Sequence, residues 1–585
     1  MHVYQSSFPV PAALVAPGTP YEMEIRRFRG HEQIMFRHAP TTLNALLGEA
    51  IASHRAMPDE RMTELDGAVT TFARFEAQAA ALCASLRGRL GIGPGDHVAV
   101  VMANRAEWMI AFFAVLAAGG VPVLVNSRGA GEEMRRAMDL VGCAAAICDG
   151  ERLARLGEAG GVPCPVVLLD GTAQGALDFA AAAAPVAGLR LDFAPRQPED
   201  AALVMFSSGT TGFPKGVVHS QGGMAHSLTL GFLANEAFDA LYESQFGQSP
   251  YAGLATDRPA NVLSSPLFHV AGVLPYLRSI VKGLPTILVS KWNVDQVFDI
   301  LEREDVVRLG LVPTMVFDLL ASPRSASGVL GKLRFFASGT AALSPAVAAA
   351  LRAALPNCLM LNTYGQSETM ERAASFGGLE FERNLGAVGR VMPTLAIRIL
   401  TDAGEDAAPG ERGEIAVYGA STMNGYINDP AATAATIRDG WVLSGDIGYF
   451  DPAGLLHVVD RKKNMVISGG ENIYCAEVER VLADHPQVAE AIAFGEPDAR
   501  LGEKLVAVCV VRPGATVDEQ ALKDHCRAHL AIYKVPRAIG FTHAPLPRNA
   551  TGKVAKGVFL EGWRGGAGRA GQPQDQPQDQ PMQGS

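Results

Sequence analysis

The stretch Leu203-Val204-Met205-Phe206-Ser207-Ser208-Gly209-Thr210-Thr211-Gly212-Phe213-Pro214-Lys215-Gly216 runs from a buried strand into a loop of hydroxyl and glycine residues that ends in a lysine. Glycines let backbone N–H groups converge, Ser207, Ser208, Thr210 and Thr211 add donors, and Lys215 adds charge. Together they make a nest for phosphate oxygens. A Walker A loop needs Gly-Lys-Ser/Thr, whereas Lys215 stands between Pro214 and Gly216. A solvated Gly/Ser turn is the plain alternative. The hydroxyls and the lysine directly after an apolar strand argue against it.

Outward from this loop, apolar helical runs alternate with short β-branched strands from Thr41 onward: His97–Met102, Val121–Val125 and Pro165–Asp170. That alternation predicts parallel sheets covered by helices on both faces. Trp108 to Val125 is an 18-residue stretch without a charge, the lower limit for a membrane span. Gly119-Gly120-Val121-Pro122 interrupts it, so it reads as a buried helix through Ala118, a tight turn and a buried strand. From Gly413, hairpin-like strands appear (413–419 and 455–460), then the charged knot Asp460-Arg461-Lys462-Lys463-Asn464 and about 100 residues of α+β pattern. The expected organisation is an extension over 1–40 without a clear period, a large domain over 41–460, a hinge over 461–464, a small domain over 465–564 and a Gln/Pro/Gly-rich disordered tail over 565–585.

The 585 residues allow two or more cores, and 48% hydrophobic against 19% charged residues describes a chain that folds. A net charge of −10 argues against a basic nucleic-acid or anionic-membrane binder, so an anionic ligand must be held by a local cluster of donors. The eight cysteines show no CxxC pair and no zinc spacing. They read as buried small hydrophobes in a reducing compartment. The N-terminus lacks a basic region followed by an apolar core, so no secretory signal and a cytoplasmic location are expected.

SSGTTGFPKG (207–216) resembles the phosphate-binding signature of the class I adenylate-forming superfamily, the AMP-dependent synthetases and ligases that include acyl-CoA synthetases. Further matches follow in the family's order: PLFHVAG (266–272), ASGTAAL (337–343), NTYGQSET (362–369), GWVLSGD (440–446), DRKKNMVISGGENIY (460–474), YKVPR (533–537) and PRNATGK (547–553). Joint occurrence is far more specific than any one pattern. The resemblance implies an α/β fold. Its large N-terminal domain would hold parallel-rich sheets covered by helices plus a β-barrel-like subdomain, and its small α+β C-terminal domain would be mobile. It also implies a two-step reaction. A carboxylate attacks the α-phosphate of ATP, giving acyl-adenylate and pyrophosphate; the thiol of CoA then displaces AMP.

By the same resemblance, Ser207, Ser208, Gly209, Thr210, Thr211, Gly212 and Lys215 would cradle phosphate. Gly339, Thr340 and Ala341 would form the floor near adenine, although Ser338-Gly339-Thr340-Ala341-Ala342 departs from the commoner Gly-Gly-Ala-Pro. Tyr364 and Gly365 would meet adenine, Ser367 the α-phosphate, and Glu368 a magnesium ion, a role that suits a carboxylate. Asp446 and Arg461 would hold the ribose. Lys553 would neutralise charge in the adenylation step, as a point charge on a flexible stem can. Lys463 would be the hinge, and Gly469 and Gly470 would admit the slender pantetheine arm of CoA. His269 matches an aromatic gate of the acyl pocket, with a satisfied core histidine weighed equally.

PLFHVAG carries no carboxylate to pair with an ammonium, which disfavours an amino-acid substrate. The expected activity is an acyl-CoA synthetase for an apolar acid, fatty or aryl-alkyl, placed in fatty-acid or lipid metabolism. The partners would be the acid, ATP and CoA, with a homodimer left open, no nucleic acid and no transmembrane segment. Loading of a carrier protein, luciferase-like oxidation of an adenylate and a non-catalytic nucleotide-binding scaffold are the competing readings. Phe232, Phe238, Tyr242, Phe246 and Tyr251 are candidates for an apolar acyl pocket, with core packing an equal alternative.

Overall fold

The computed structural model describes residues 3–207, 214–338, 345–370, 372–468, 471–498, 500–548 and 554–564. The chain divides into two compact units: Met1–Ser444 with Gly448–Val458, and Gly445–Ile447 with Val459–Ser585. The division falls one residue ahead of the charged knot at Asp460.

Three substantial sheets lie wholly within the larger unit, and a fourth has strands that carry residues of both. In the eight-stranded sheet the order is Leu177–Asp178, Val166–Leu168, Ala145–Cys148, His97–Val101, Val121–Leu124, Ala201–Phe206, Gly216–Ser220 and Gly425–Tyr426. The first six are parallel and the last two antiparallel. A five-stranded sheet runs Arg308–Leu311, Phe335–Ser338, Leu359–Tyr364, Ala374–Gly377 and Arg390–Val391, parallel in its first half. A four-stranded sheet joins Asn261–Leu263, Thr286–Leu288, Arg61–Leu65 and Ala68–Thr71. Where a barrel-like subdomain was expected, a six-stranded sheet includes Ala396–Leu400, Gly413–Tyr418, Trp441–Phe450 and Leu456–Arg461.

The uncharged stretch folds as its glycines require. Ala106–Ala118 is a helix with every residue from Trp108 to Ala118 buried. Gly119 ends it at φ 90°, its N–H reaching back to Val115 and Leu116, and Val121–Leu124 follows as a fully buried strand. Among the described residues no helix is long and apolar enough to cross a membrane. All eight cysteines are uncrosslinked, six of them buried. Burial pushes the thiols of Cys148 and Cys475 up to about 12, so they stay protonated and unreactive.

The first 40 residues are more ordered than their sequence suggests. Tyr4–Gln5 pairs with Ala396–Ile397, and Met23–Phe28 pairs with His31–Phe36 as a hairpin. Its two-residue turn, Arg29-Gly30, has φ of 50° and 80°, as a type I′ turn requires.

The second unit contains a five-stranded sheet of Glu471–Tyr474, Met465–Ser468, Gly502–Val511, Val488–Asp498 and Ala538–Thr542. The helices Cys475–Ala483 and Glu519–His529 bury Val478, Leu482, Leu522 and Cys526 in one of its apolar cores.

Candidate active site

The Gly/Ser-rich loop is closed at its base by the strands that flank it. Phe206 pairs with Gly216, the Ser207 N–H donates to the Lys215 carbonyl at 3.0 Å, and the Lys215 N–H reaches Ser207 Oγ at 3.4 Å. Ser208, Gly209, Thr210, Thr211 and Gly212 lie outside the described residues, as do Gly339, Thr340, Ala341, Gly469, Gly470 and Lys553. The exposed Lys215 ammonium sits over the Tyr426 ring, 4.6 Å from its centroid.

Glu368 stands on a tight 3₁₀ turn, Ser367–Thr369, that follows the strand ending at Tyr364. Thr369 Oγ accepts from the Gln366 N–H at 3.1 Å, and Met370 leaves the turn at φ 52°. Ser367 and Glu368 are each 8% exposed. Two carbonyls of the turn are held: Ser367 O accepts from His219 Nε2 at 2.7 Å, and Glu368 O from the Met423 N–H at 2.8 Å. The carboxylate itself accepts from the Tyr426 hydroxyl, Oη to Oε1 2.9 Å. Burial, and then the Glu368 charge, push the Tyr426 hydroxyl upward, so it remains a donor. Burial, with the Arg29 cation adding to it, lowers His219 to about 3 and keeps it neutral as an Nε2–H donor. Gly365 is exposed and Tyr364 half-buried beside this turn.

In the second unit Arg461 Nε pairs with Asp446 Oδ1 at 2.6 Å, with Asp446 almost fully buried. The two expected ribose partners are therefore side by side. Lys463 is exposed in a one-turn 3₁₀ segment, Lys462–Asn464. That segment is anchored by Asp460, whose carboxylate accepts from the Arg461 N–H at 2.7 Å, Asn464 Nδ2 at 3.3 Å and the Ala476 N–H at 2.7 Å. The chain on either side of Lys553 is also fixed. Arg548 and Val554 form an antiparallel bridge, the Ala555 N–H bonds Pro547 O at 2.7 Å, and Lys556 pairs with Glu479 at 2.9 Å.

His269 is half-buried and caps the helix Val270–Val281, its Nδ1 accepting from the Ala271 N–H at 3.3 Å. The aromatic candidates for an acyl pocket are corrected by the structure. Phe238 packs edge-on against Phe8, and Tyr242 lies against Phe246 and Phe335 with its hydroxyl on Asn357 O. Phe232 is buried beneath the Lys282 ammonium, and Tyr251 is exposed and bonded to Asp239. Core packing accounts for Phe232, Phe238, Tyr242 and Phe246, whereas Tyr251 lies at the surface.

Tyr426, His219 and Asp460 were not singled out from sequence. Tyr426 lies 58 residues from Glu368 and His219 lies 148 from Ser367, so only the fold brings them together. His219 did carry a local sign, as a polar residue directly after Val217 and Val218 on a strand.

The sequence model of the AMP-binding enzyme family matches residues 52–427, and that of the AMP-binding enzyme C-terminal domain matches 477–553. The chain belongs to the AMP-binding enzyme family, within the class I adenylate-forming superfamily. It is 34% identical over 505 residues to a 2-succinylbenzoate–CoA ligase of Geobacillus kaustophilus, covering 85% of this chain and 94% of the relative. It is also 34% identical over 494 residues to an indoleacetate–CoA ligase of Aromatoleum aromaticum, covering 82% and 91%. The o-succinylbenzoate CoA synthetase of Bacillus subtilis, solved with its acyl-adenylate intermediate, superposes with a TM-score of 0.73 at 26% identity, covering 88% of this chain and 97% of that one. The same protein has been solved with ATP and magnesium.

Proposed function

We propose that this acid–CoA ligase activates an aryl or arylalkyl carboxylic acid. The fatty-acid branch of the expectation finds no support among the relatives, whose names specify aromatic acids, and the lack of a carboxylate in PLFHVAG suits an acid without an ammonium group. The observation that carries the catalytic reading is the buried Glu368, held through the Ser367 and Glu368 carbonyls of its turn and by Tyr426, with Lys215 across the same ring.

In the first half-reaction the substrate carboxylate attacks the α-phosphorus of ATP, and the α–β bridging bond breaks to release pyrophosphate. Anion meets anion, so positive charge and fixed geometry must come from the site. Lys215 and the loop donors hold phosphate oxygens, Asp446 and Arg461 hold ribose, and Lys553 neutralises the charge that develops between carboxylate and phosphate. Magnesium fits the donor set. No group of three or more His, Cys, Asp or Glu side chains among the described residues could hold a metal, but this ion takes one or two carboxylates with phosphate oxygens and water. Glu368 would supply the carboxylate, and the ion would neutralise phosphate charge.

In the second half-reaction the CoA thiol loses its proton and attacks the acyl carbon; the acyl–phosphate C–O bond breaks and AMP leaves. Rotation about Lys463 would withdraw Lys553 and present Gly469-Gly470 to the pantetheine arm. The remaining assignments follow this reading: a small domain over 465–564 and a cytoplasmic location.

The test is acid-dependent exchange of labelled pyrophosphate into ATP across aryl, arylalkyl and fatty acids. Aryl or arylalkyl acids should give the highest kcat/KM. A preference for unbranched fatty acids would refute the substrate class, and exchange without any acid would refute the reaction.

A further inference from the structure

Arg29 occupies the first turn position of the hairpin Met23–Phe36, at φ 50°. That conformation costs a non-glycine residue on the order of 1–2 kcal/mol, and asparagine or glycine would suit it better. The side chain accounts for the choice. Arg29 Nη1 donates to Thr422 O at 2.7 Å, Met423 O at 2.8 Å and Asn424 Oδ1 at 3.2 Å. Nη2 donates to Gly419 O at 3.1 Å and Thr422 Oγ1 at 3.0 Å. One guanidinium thus gathers the carbonyls of a loop that has no regular ladder of its own. The hairpin is pressed onto this loop by an apolar contact of Phe28 and Met35 with Ala420.

The same loop frames the carboxylate. The Met423 N–H holds Glu368 O, the Asn424 N–H holds Val218 O at 2.8 Å, and two residues on stands Tyr426, bonded to the Glu368 carboxylate. Arg29 binds the carbonyl side of residues 419–424 while the amides of Met423 and Asn424 bind the turn of Glu368 and the strand beside the Gly/Ser-rich loop.

We infer that Arg29 is a positioning residue for adenylation, acting through the 419–426 loop to fix the Glu368 carboxylate and Tyr426. This rests on the reading of Glu368 as an adenylation-site carboxylate. Lysine cannot replace it, because a single ammonium lacks the planar fork that reaches several carbonyls at once.

The test uses the full chain carrying Arg29→Met, Arg29→Lys, Tyr426→Phe, Glu368→Gln and the Arg29→Met/Tyr426→Phe pair. Hydrogen–deuterium exchange of the segment 419–426 is read in the ligand-free protein. Pyrophosphate exchange reads adenylation, and thioester formation from supplied acyl-adenylate reads the second step. Arg29→Met should speed exchange in that segment about tenfold or more and lower adenylation kcat about 10- to 100-fold, with the second step changed less than about threefold. In the double variant the loss should be smaller than the product of the single losses. Arg29→Lys, which keeps the buried charge, should show the same pattern and serves as the readout if Arg29→Met does not fold. Unchanged exchange, equal loss in both half-reactions, or multiplicative losses in the pair would overturn the inference. Full adenylation by Glu368→Gln would instead overturn the reading of the site, and is told apart because the exchange result does not depend on it.

Discussion

The Tyr426 hydroxyl donates to Glu368 Oε1 across 2.9 Å, and the same ring carries the Lys215 ammonium 4.6 Å from its centroid. One aromatic side chain therefore joins the base of the Gly/Ser-rich loop to the buried carboxylate. Replacing it with phenylalanine keeps the cation–π face and removes only the donor. A hydrogen bond to a charged group is worth about 1.5–3 kcal/mol, so Tyr426→Phe should slow adenylation by about one to two orders of magnitude. The melting temperature should fall little. Steady-state pyrophosphate exchange against magnesium–ATP concentration measures this, and an unchanged kcat/KM would remove Tyr426 from the site.

Lys553 and Gly470 should separate the two half-reactions. Lys553→Ala is expected to lose adenylation far more than thioester formation from supplied acyl-adenylate, because the proposed role of its charge is confined to the first transition state. Gly470→Leu should do the reverse by obstructing the thiol's approach. Rapid-quench assays of each half-reaction decide it: equal losses in both steps for either variant would contradict the proposed rotation about Lys463.

The sequence made some of this legible and hid the rest for physical reasons. Gly119-Gly120 after an uncharged helical run marked the turn between Ala118 and Val121, because glycine at φ 90° ends a helix whatever packs around it. The hairpin 23–36 gave no such sign. Its turn is Arg-Gly instead of Asn-Gly, and Ile25 and Ile34 face outward at 72% and 40% exposure, so burial does not follow the alternation of residues. Glu368 was found through the order of motifs, yet its partners Tyr426 and Met423, and His219 on the neighbouring Ser367 carbonyl, are set by tertiary pairing and leave no local period. The aromatic residues from Phe232 to Phe246 show the opposite error: a helix packed on several sides needs large apolar side chains, and no ligand is required to explain them.

Acid should destabilise the protein through its buried histidines. His54, 3% exposed and tilted against the Phe72 ring, has no hydrogen-bond partner for either ring nitrogen among the described residues, and burial lowers it to about 4. Burial lowers His219 and His226 to about 3. The unfolded chain binds these protons near 6.5 while the folded chain refuses them. Stability is therefore complete above about pH 6.5 and falls as pH drops toward 4. His54→Phe removes one titrating group without breaking a hydrogen bond. Its stability should match the parent at pH 8 and exceed it at pH 5 by on the order of 1–2 kcal/mol. Urea unfolding at the two pH values measures this, and an identical pH dependence would mean that His54 is not buried as described.

The most direct test of the account is to follow the products of ATP, CoA and an aromatic acid such as indoleacetate together by mass spectrometry. AMP, pyrophosphate and the aryl-acyl thioester of CoA should appear in equal amounts, each depending on the acid, with acyl-adenylate accumulating when CoA is left out. Formation of ADP, or AMP release with no thioester and no adenylate, would contradict it.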